Sequence, residues 1–582
     1  MKWILAEVEP AHAAALSAAL GISLPAARIL CARGLADPAA ARRFLQPSPA
    51  DLHDPFLLAD MAKAAARLVQ AIERQEPILL YGDYDVDGTS AVVVLKKVLD
   101  LAGAAATCFV PHRIRDGYGM KSEAVEDAAA LGVKLIVSVD TGIRANQVVK
   151  HAAALGIDVI VTDHHLPEAE LPPALAVLNP NRRDCTYPEK NLCGAGVALK
   201  LAEALMISLG WEHTRRERLV DSLLKLVAIA TVADVVPLTG ENRVIVKRGL
   251  EGLNRVTNPG LRALLDVAGI AAGTTPSARQ VAFQIAPRIN AAGRMASASD
   301  IIELFSTSDP QRAGAIAAQL DGWNKDRRET EDGIRQAILE QCLAQPVTDS
   351  DAALVFAGDG WHRGVVGIVA SRVVERYHRP VFVLGIDGGV AHGSGRSIRA
   401  FHLLDALEAM PALFQKFGGH RQAAGVTLLA SEVDEFRVQF QAYAATRLTV
   451  ADFEPEIEID TEIAFEEITD QTIAELLNLA PFGFGNPPPT LLARGVEVAA
   501  PPEIKKDKHL FLRLKSQGRT LRVKAWNFAE RAAEFAPGTH IDAALQFEDD
   551  PYSATRGYAP WQAILRDARP ASYGLRFRAE AM

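Results

Sequence analysis

In the first third of the chain, short continuous apolar runs alternate with stretches whose apolar positions follow a helical spacing. The runs at 78–81, 134–139 and 157–162 have the length and the β-branched content of buried strands. The stretch 91–101 has helical spacing, and the helix before the third strand ends at Gly156, a residue type that often terminates helices. Strands that alternate with helices predict a doubly wound parallel sheet.

The pattern changes twice further along the chain. Asp309-Pro310 is typical of a helix start, and helical spacing then continues to about Cys342, which predicts a spacer helix roughly 50 Å long. A second α/β unit follows, and short alternating strands around Pro487-Pro488-Pro489 predict a small β-barrel. The predicted domains are an N-terminal helical segment at 1–50, the parallel-sheet domain at 51–255, a helical linker at 256–345, the second α/β domain at 346–450 and the barrel at 451–582.

Composition restricts the class of protein. Of 582 residues, 49% are hydrophobic and 23% are charged, which excludes wholesale disorder, and the net charge of −9 excludes a uniformly basic surface for nucleic acid. The five cysteines contain no CxxC pair, which argues against a disulfide framework and a zinc ribbon. Glu7 and Glu9 precede any signal-peptide core, and the most apolar stretch, 226–238, is too short to span a membrane. A soluble, cytoplasmic protein is expected.

The most informative segment is the acidic loop after the first strand. Asp83, Asp85 and Asp87 alternate directly after a buried run, and carboxylates so close together repel one another unless a cation lies among them. One aspartate could instead cap the next helix, but Thr89 or Ser90 could do so alone. Capping therefore leaves at least two of the three carboxylates unexplained.

Two further strands of the predicted sheet end in metal-binding residue types. Asp140 follows the second strand, and Asp163-His164-His165 follows the third. Each alone is more typical of a turn or a surface, but the carboxyl ends of parallel strands share the sheet edge where such sheets bind ligands. Asp234 adds a carboxylate within an otherwise apolar stretch, where burying it without a partner would be costly.

This set of residues indicates the metal and the reaction. Carboxylates with one or two imidazoles and no thiolate suit Mn²⁺ or Mg²⁺ better than structural zinc. Five or six ligands are too many for one such ion and suit two ions about 3.5–4 Å apart, which activate water and bind a phosphoryl group during in-line displacement. The residues therefore predict a two-metal phosphoesterase.

At these residues the chain resembles the DHH phosphoesterase superfamily, which is named for the Asp-His-His triplet. The acidic loop, Asp140, the triplet and Asp234 follow the order of that superfamily's motifs. The segment 417–425 is similar to the signature of the DHH-associated domain, and 288–295 with 324–328 resemble segments of the bacterial RecJ exonucleases. The resemblance implies two α/β domains, a DHH parallel-sheet domain and a DHH-associated domain, joined by the long helix, with a C-terminal β-barrel of the oligonucleotide-binding (OB) type.

The resemblance implies a 5′→3′ exonuclease that degrades single-stranded DNA to 5′-mononucleotides with two Mn²⁺ or Mg²⁺ ions, in DNA repair and recombination. His165 is expected to face the substrate phosphate as a stabiliser or proton donor, and Asp163 to orient a histidine without binding metal. Asp140 is the expected bridge between the ions. Carried over by position, the metal ligands are Asp83, Asp85, Asp87, Asp140, His164 and Asp234.

The second α/β domain contains candidate contacts to the 5′ end of the strand. A glycine-rich turn at 358–367 opens a helix whose free backbone N–H groups could bind an anion, although close packing of helix on sheet would also require glycine. Asn290, in a segment that resembles the exonucleases, is a further candidate for substrate binding. The predicted contacts to the terminal phosphate or the adjacent backbone are Ser371 and Arg372 on that helix, with Arg396 on a Gly-Ser-Gly-Arg-Ser loop and His420 as the next candidates.

Basic residues in the tail are concentrated on one face of a predicted hairpin. Residues 503–524 contain eight Lys or Arg and two acids, and apolar residues alternate with basic ones along both strands. A solvated hairpin is one interpretation, and a cationic groove that binds single strands is the favoured one. An acidic run at 452–470 lies apart from it. The predicted contacts in the groove are Arg513, Lys515, Arg522 and Lys524.

Two other functions remain open at this point. Related phosphodiesterases act on short oligonucleotides or cyclic dinucleotides, but their chains usually stop after the second domain. Catalytically inactive single-strand-binding scaffolds lose metal ligands that this chain keeps. The expected partners are single-stranded DNA with a 5′ end, a single-strand-binding protein and a helicase, and a monomer that contacts no membrane is expected.

Overall fold

The computed structural model of the chain describes residues 1–113, 115–295, 297–550, 553 and 555–571, and the backbone of 576–577. The last residues of the predicted barrel domain, 578–582, lie outside the described part. The N-terminal segment consists of β1 (Lys2–Leu5), α1 (Pro10–Leu20), α2 (Leu24–Ala32) and α3 (Pro38–Leu45). No described helix is by itself long and apolar enough to cross a membrane; α1 and α2 meet that requirement only together, and they are bent by 119° at their junction.

The first domain is built on a fully parallel five-stranded sheet in the order β3-β2-β4-β5-β6. Every residue of β2 and β4 is buried, because helices cover both faces of the sheet. The predicted parallel sheet is therefore confirmed. Its elements are α4 (Met61–Glu73), β2 (Ile78–Gly82), α5 (Val86–Leu101), β3 (Ala106–Phe109), α6 (Ser122–Ala130), β4 (Leu135–Val139), α7 (Asn146–Ala154), β5 (Asp158–Thr162), β6 (Ala176–Leu178), α8 (Gly194–Ser208), α9 (His213–Ala233) and α10 (Gly240–Gly252).

A helical region ends in the long helix that the sequence predicts. Asp309 caps this helix by accepting a hydrogen bond from the Gln311 N–H at 2.9 Å. Ala313 to Leu320 pack against the first domain, whereas Ile334 and Ile338 pack against the second, so one helix belongs to two cores. The elements are α11 (Pro259–Val267), α12 (Ala278–Gln280), a π-helical turn (Val281–Ile285), α13 (Ala286–Met295), α14 (Ser299–Ser306) and α15 (Pro310–Ala344).

The second α/β domain has a mixed sheet in the order β10-β11-β9-β8-β7, in which only β7 and β8 run parallel. The predicted loop around Arg396 is wrong, because residues 393–396 form the end of β9 and pair with both β8 and β11. The elements are β7 (Leu354–Asp359), α16 (Val366–Tyr377), β8 (Val381–Asp387), β9 (Val390–Arg396), α17 (Leu403–Glu408), β10 (Lys416–Gly419), β11 (Ala423–Leu429) and α18 (Val433–Ala445).

The C-terminal domain contains a closed five-stranded barrel in the order β14-β18-β19-β17-β16, closed by pairing of β14 with β16. This confirms the predicted barrel. The elements are β12 (Glu456–Ile459), β13 (Thr461–Glu462), α19 (Asp470–Leu477), β14 (Leu491–Val498), β15 (Glu503–Lys505), β16 (His509–Ser516), β17 (Arg519–Ala525), β18 (His540–Asp549), β19 (Trp561–Pro570) and β20 (Arg576–Phe577).

The N-terminal segment packs on this barrel rather than on the domain that follows it in sequence. β1 pairs in parallel with β12, and buried Trp3 donates a hydrogen bond to Asp567 at 2.8 Å. Leu16 and Ile29 lie in the same hydrophobic core as the barrel strands. The acidic run faces basic residues of this segment, as in the 3.0 Å ion pair of Arg33 with Asp460.

Candidate metal centre

The acidic loop connects β2 to α5, and Asp85 caps that helix. Its Oδ1 accepts hydrogen bonds from the N–H groups of Asp87 at 2.9 Å and Gly88 at 3.0 Å. The expectation that Thr89 or Ser90 could be the cap is wrong, because α5 begins at Val86 and both residues are buried in its first turns. The helix therefore starts among the carboxylates, with the positive end of its dipole towards them.

Asp87 and Asp140 are held in place by the start of α8. The N–H groups of Gly194 and Ala195 donate to the two oxygens of Asp87 at 2.6 and 2.7 Å. Asp140 has a left-handed backbone with φ of 58°, and a Cβ at Gly194 would lie only 2.6 Å from the Asp140 Cβ. Glycine is therefore required at position 194, because a larger residue there would collide with the side chain of Asp140.

The six predicted ligands divide into two sets of three. Within each set, the possible ligand atoms lie within 4.8 Å of one another. His164 Nε2 also lies 3.2 Å from Asp140 Oδ1, which places the two sets side by side at the carboxyl edge of the sheet. One set is Asp83, Asp85 and Asp140, and the other is Asp87, His164 and Asp234.

The chemistry of these residues fits divalent cations. Asp83 Oδ1, Asp140 Oδ1 and His164 Nε2 are buried and make no hydrogen bond, although the last two lie 3.2 Å apart. Burial and the neighbouring carboxylates raise the pKa of Asp140 well above its ordinary value, and the same causes raise the pKa of Asp234 to about 9. Buried polar atoms without partners and crowded carboxylates are both costly, and a bound cation removes both costs.

His165 lies beside the two sets and has a carboxylate partner of its own. Its Nδ1 lies 2.7 Å from Asp163 Oδ1 and 3.3 Å from the Tyr118 hydroxyl. Burial alone would lower the pKa of His165, but the hydrogen bond and charge of Asp163 raise it above the ordinary value. Asp163 itself also accepts hydrogen bonds from three backbone N–H groups, so it cannot turn towards a metal.

Three arginines lie near the acidic loop. Arg113 and Arg294 were not predicted as site residues, and Arg396 was predicted to lie on a loop. Arg113 covers the ring of Tyr84 at 4.7 Å, and Arg294 donates to the carbonyl of Gly364 at 2.5 Å. Burial and the charges of Arg113, Arg327 and Arg396 lower the pKa of Arg294 to about 9. The motif 288–295 contained Arg294, but nothing local indicated that Arg294 spans two domains.

The other predicted contacts of the second domain lie apart from this arginine group. Arg372 makes ion pairs with Glu375 at 3.0 Å and Glu331 at 3.7 Å, and it lines a cavity of about 800 Å³ between α15 and α16. Ser371 donates to the carbonyl of Gly367, one turn earlier on α16. Gly367 itself packs against Ser394 and Arg396, so that glycine serves close packing.

His420 and Asn290 occupy different surroundings. His420 is an exposed residue of the turn between β10 and β11, and partial burial of its imidazole together with the charges of Arg396, His402 and Arg144 lowers its pKa. Asn290 lies half-buried on α13, which packs on the acidic loop so closely that a Cβ at Gly293 would lie 2.6 Å from the Tyr84 carbonyl oxygen.

The hairpin of β16 and β17 separates apolar and basic residues onto two faces. Leu510, Leu512 and Leu514 are buried in the barrel, whereas Arg513 and Lys515 are exposed. Across the hairpin, exposed Arg522 lies over the ring of Phe511 at 5.0 Å. Lys524 is bonded to Gln562 and is therefore the least free of the four predicted contacts.

Family models match three parts of the chain. The N-terminal domain of the DHH family matches residues 77–231, the DHHA1 domain matches 349–446, and the RecJ OB domain matches 459–559.

Known proteins match over most of the chain. The single-stranded-DNA-specific exonuclease RecJ of Bacillus subtilis (strain 168) is 39% identical over 544 residues, which cover 93% of this chain and 68% of the relative. The crystal structure of RecJ in complex with Mn²⁺ from Thermus thermophilus matches with a TM-score of 0.83 and 31% identity, covering 99% of this chain and 80% of that one. The corresponding structure with Mg²⁺ matches with a TM-score of 0.78 and 29% identity, covering 99% and 79%.

Proposed function

The chain belongs to the RecJ family of single-stranded-DNA-specific exonucleases, and we propose that it degrades single-stranded DNA from the 5′ end to 5′-mononucleotides, in DNA repair and recombination. The observation that carries this proposal is the pair of ligand sets at the carboxyl edge of the parallel sheet. An inactive scaffold would have no need for six clustered ligands, three of them buried carboxylates (Asp83, Asp87 and Asp140) that destabilise the protein without cations.

The ligand sets suit two Mn²⁺ or Mg²⁺ ions. Asp83, Asp85 and Asp140 would hold one ion, and Asp87, His164 and Asp234 the other, with Asp140 close enough to serve both. When bound, such ions would stabilise the negative charge of the phosphodiester and lower the pKa of the water that attacks it. The amides of Gly194 and Ala195 keep Asp87 oriented whether or not an ion is present.

His165 is suited to stabilise the phosphate and to donate a proton. Its raised pKa favours the positively charged imidazole, and Asp163 holds the ring through Nδ1. Nε2 therefore remains for the substrate, where it can neutralise charge on the phosphoryl oxygens or protonate the leaving oxygen. Tyr118 limits rotation of the ring from the other side.

A 5′→3′ direction requires a group that recognises the strand end, because internal phosphodiesters offer the metals the same chemistry. Arg396 is the best suited of the predicted residues, since it is mostly buried beside Arg113 and Arg294 and would gain from a dianionic terminal phosphate. His420 faces the same group. Arg372, which two glutamates already neutralise, is less suited, and Ser371 is bonded within its own helix.

The basic hairpin is proposed to hold the strand behind the reacting end, because its exposed cations lie on an OB-type barrel. All groups of the centre come from one chain, so we propose a monomer. An enzyme restricted to single strands requires strands to be opened and kept open, so a helicase and a single-strand-binding protein are the proposed partners, and the cytoplasm is the proposed location.

The decisive experiment follows product release from a single strand labelled at either end. With Mn²⁺, a 5′ label should appear in a mononucleotide at once and a 3′ label only late, and a duplex should resist. Immediate release of the 3′ label would reverse the proposed direction. Cleavage limited to dinucleotides would favour a phosphodiesterase of short oligonucleotides, and binding without any hydrolysis would favour an inactive scaffold.

A further inference from the structure

We propose that Val235 and Phe484 form an apolar platform that stacks a nucleobase of the strand as it passes from the barrel to the metal centre. This inference rests on the proposed function, and it adds a contact to the bases of the strand rather than to its phosphates. The two residues come from different domains, and the turn that carries Phe484 docks on the segment that follows Asp234, three residues after Val235.

Val235 is the residue after the metal-ligand candidate Asp234, and its conformation is unusual. Its φ of 59° lies in the left-handed region, which β-branched residues rarely adopt. Its side chain is 63% exposed, so no packing inside the protein compensates for the strain. Strained residues of this kind cluster at functional sites, and an exposed apolar side chain beside a metal centre is available to a ligand.

Phe484 lies at the tip of a turn in the C-terminal domain and is 60% exposed. The turn is rigid, because buried Asn486 donates to the carbonyls of Leu479 and Pro481 at 2.9 and 2.8 Å. Arg33 of the N-terminal segment in turn donates to Asn486 Oδ1 at 2.5 Å. A rigid turn that exposes an aromatic ring loses little conformational entropy when the ring is covered.

The turn is docked on the segment that carries Val235. The Leu238 N–H donates to the Phe484 carbonyl at 2.8 Å. A Cβ at Gly483 would lie 2.7 Å from the Leu238 side chain, and one at Gly485 would lie 2.9 Å from Pro237, so both glycines permit the close approach. Phe484 is thereby fixed within a few residues of the metal centre.

The location favours a nucleobase as the occupant. Beyond the turn the chain enters β14, which pairs with β16, the strand that carries Arg513 and Lys515. The turn itself contacts Pro237 and Leu238, which follow Asp234 by three and four residues. A strand that runs from the basic hairpin to the metals has its phosphates bound by cations at the hairpin, and its bases are the groups that an apolar surface further along can bind. Stacking is tolerant of sequence, because every base has a π-face.

An abasic scan tests the platform. A single abasic residue, which keeps the phosphate but lacks the base, is placed at successive positions from the 5′ end of an oligo(dT) strand. We expect one narrow group of positions at which the abasic residue weakens binding roughly 5- to 100-fold, the range given by loss of one stacked base. Binding is measured in the presence of EDTA. In a second measurement, the fluorescence of 2-aminopurine placed at the same position should be quenched when the protein binds.

The variants separate the platform from general effects on folding. Phe484→Ala should abolish both the loss of affinity at the abasic position and the quenching of 2-aminopurine, and Phe484→Tyr should keep both. Val235→Gly should reduce them without impairing folding, because glycine favours the observed φ. Val438→Ala, at a valine on α18 that is also 63% exposed, is the matched control and should change neither signal.

The outcomes also distinguish this inference from the proposed function. A strand that is degraded normally, with a flat abasic profile and unquenched 2-aminopurine, would overturn the platform alone. A chain that hydrolyses no strand would overturn the proposed function, while the fluorescence in EDTA would still decide whether a base stacks on Phe484.

Discussion

Single residues of the metal centre make opposite contributions to stability and to activity. Asp140 is buried among like charges, and its raised pKa means that the folded state holds a proton which the unfolded state releases above its ordinary pKa of 3.8. Folding is therefore penalised at neutral pH, and the penalty disappears below about pH 4, where Asp140 is protonated in both states.

Asp140→Asn should therefore stabilise the metal-free protein at pH 7 by about 1–3 kcal/mol, since asparagine also accepts the left-handed φ. Hydrolysis should fall at least a hundredfold, while binding to single strands persists on the barrel. Thermal melts of both proteins at pH 7 and pH 4, with and without Mn²⁺, test this. A variant that is less stable than the parent at pH 7 without metal would contradict the assignment.

Arg396 should determine the preference for a phosphorylated end. A charge-assisted, bidentate contact contributes about 1.5–3 kcal/mol, so Arg396→Ala should reduce the rate ratio between 5′-phosphorylated and 5′-hydroxyl strands roughly ten- to a hundredfold. Arg372→Ala is the comparison and should leave most of the ratio intact. If the Arg372 variant lost the ratio and the Arg396 variant kept it, the end pocket would lie on α16.

For single residues, local sequence patterns predicted which side chains lie at the carboxyl ends of the strands. Asp83, Asp140 and His164 each follow a recognisable strand, so their convergence at one sheet edge could be predicted from the fold class. The roles of Arg294 and Tyr118 could not, because their partners Gly364 and His165 are distant in sequence. The cap at Asp85 was missed because three aspartates and two hydroxyl residues compete for one helix start.

Among the elements, the basic hairpin should account for salt-sensitive binding. Replacing Arg513, Lys515, Arg522 and Lys524 by glutamine should weaken binding to long strands and reduce the slope of log K against log salt by about 2–3, since each phosphate contact on a single strand contributes about 0.7. Lys524 should contribute least, because Gln562 and Asp550 already hold its ammonium group. Binding titrations at several salt concentrations measure the slope.

Very short oligonucleotides are the control for the hairpin, because they reach the metal centre without touching the barrel. Their hydrolysis should stay within about twofold of the parent enzyme, a change of less than about 0.5 kcal/mol. Equal losses on short and long strands would mean that the hairpin has a structural role.

Periodic elements were the most predictable part of the fold. The long helix α15 and the strands of the parallel sheet followed from apolar spacing, because one face or both faces of each are buried. Strand β9 was mistaken for a loop, since its Gly393-Ser394-Gly395 sequence is typical of a turn. The glycines are there because Leu384 and Phe382 of the neighbouring strand fill the space above them.

For the whole molecule, Arg243 of α10 should couple the first domain to the barrel unit. It is buried, donates to the carbonyls of Phe44 at 2.6 Å and Ala480 at 2.8 Å, and burial lowers its pKa to about 9. Arg243→Met leaves both carbonyls without partners but also removes a buried charge that penalises folding, so the net cost should be about 1–3 kcal/mol. Scanning calorimetry should then resolve two transitions in place of one, with the barrel melting first.

Arg248→Met is the control for Arg243, because Arg248 lies on the same helix and its ion pairs are exposed to solvent. It should change stability by less than about 1 kcal/mol. A single, unshifted transition in the Arg243 variant would show that the domains are coupled elsewhere.

The pairing of β1 with β12 has a consequence for how the protein is made. Lys2 to Leu5 leave the ribosome long before their partner strand, which begins at Glu456, and Asp567, which bonds Trp3, is later still. Domains generally fold in the order of synthesis, so the nascent first domain would form with an unfolded leader ahead of it. The apolar residues of that N-terminal segment, such as Leu16 and Ile29, would stay exposed until the barrel strands have been synthesised. A nascent chain arrested before Glu456 should therefore bind chaperones that recognise apolar segments, and it should bind them through the residues that become β1 to α3. Once the arrest is released and the barrel closes, this binding should be lost.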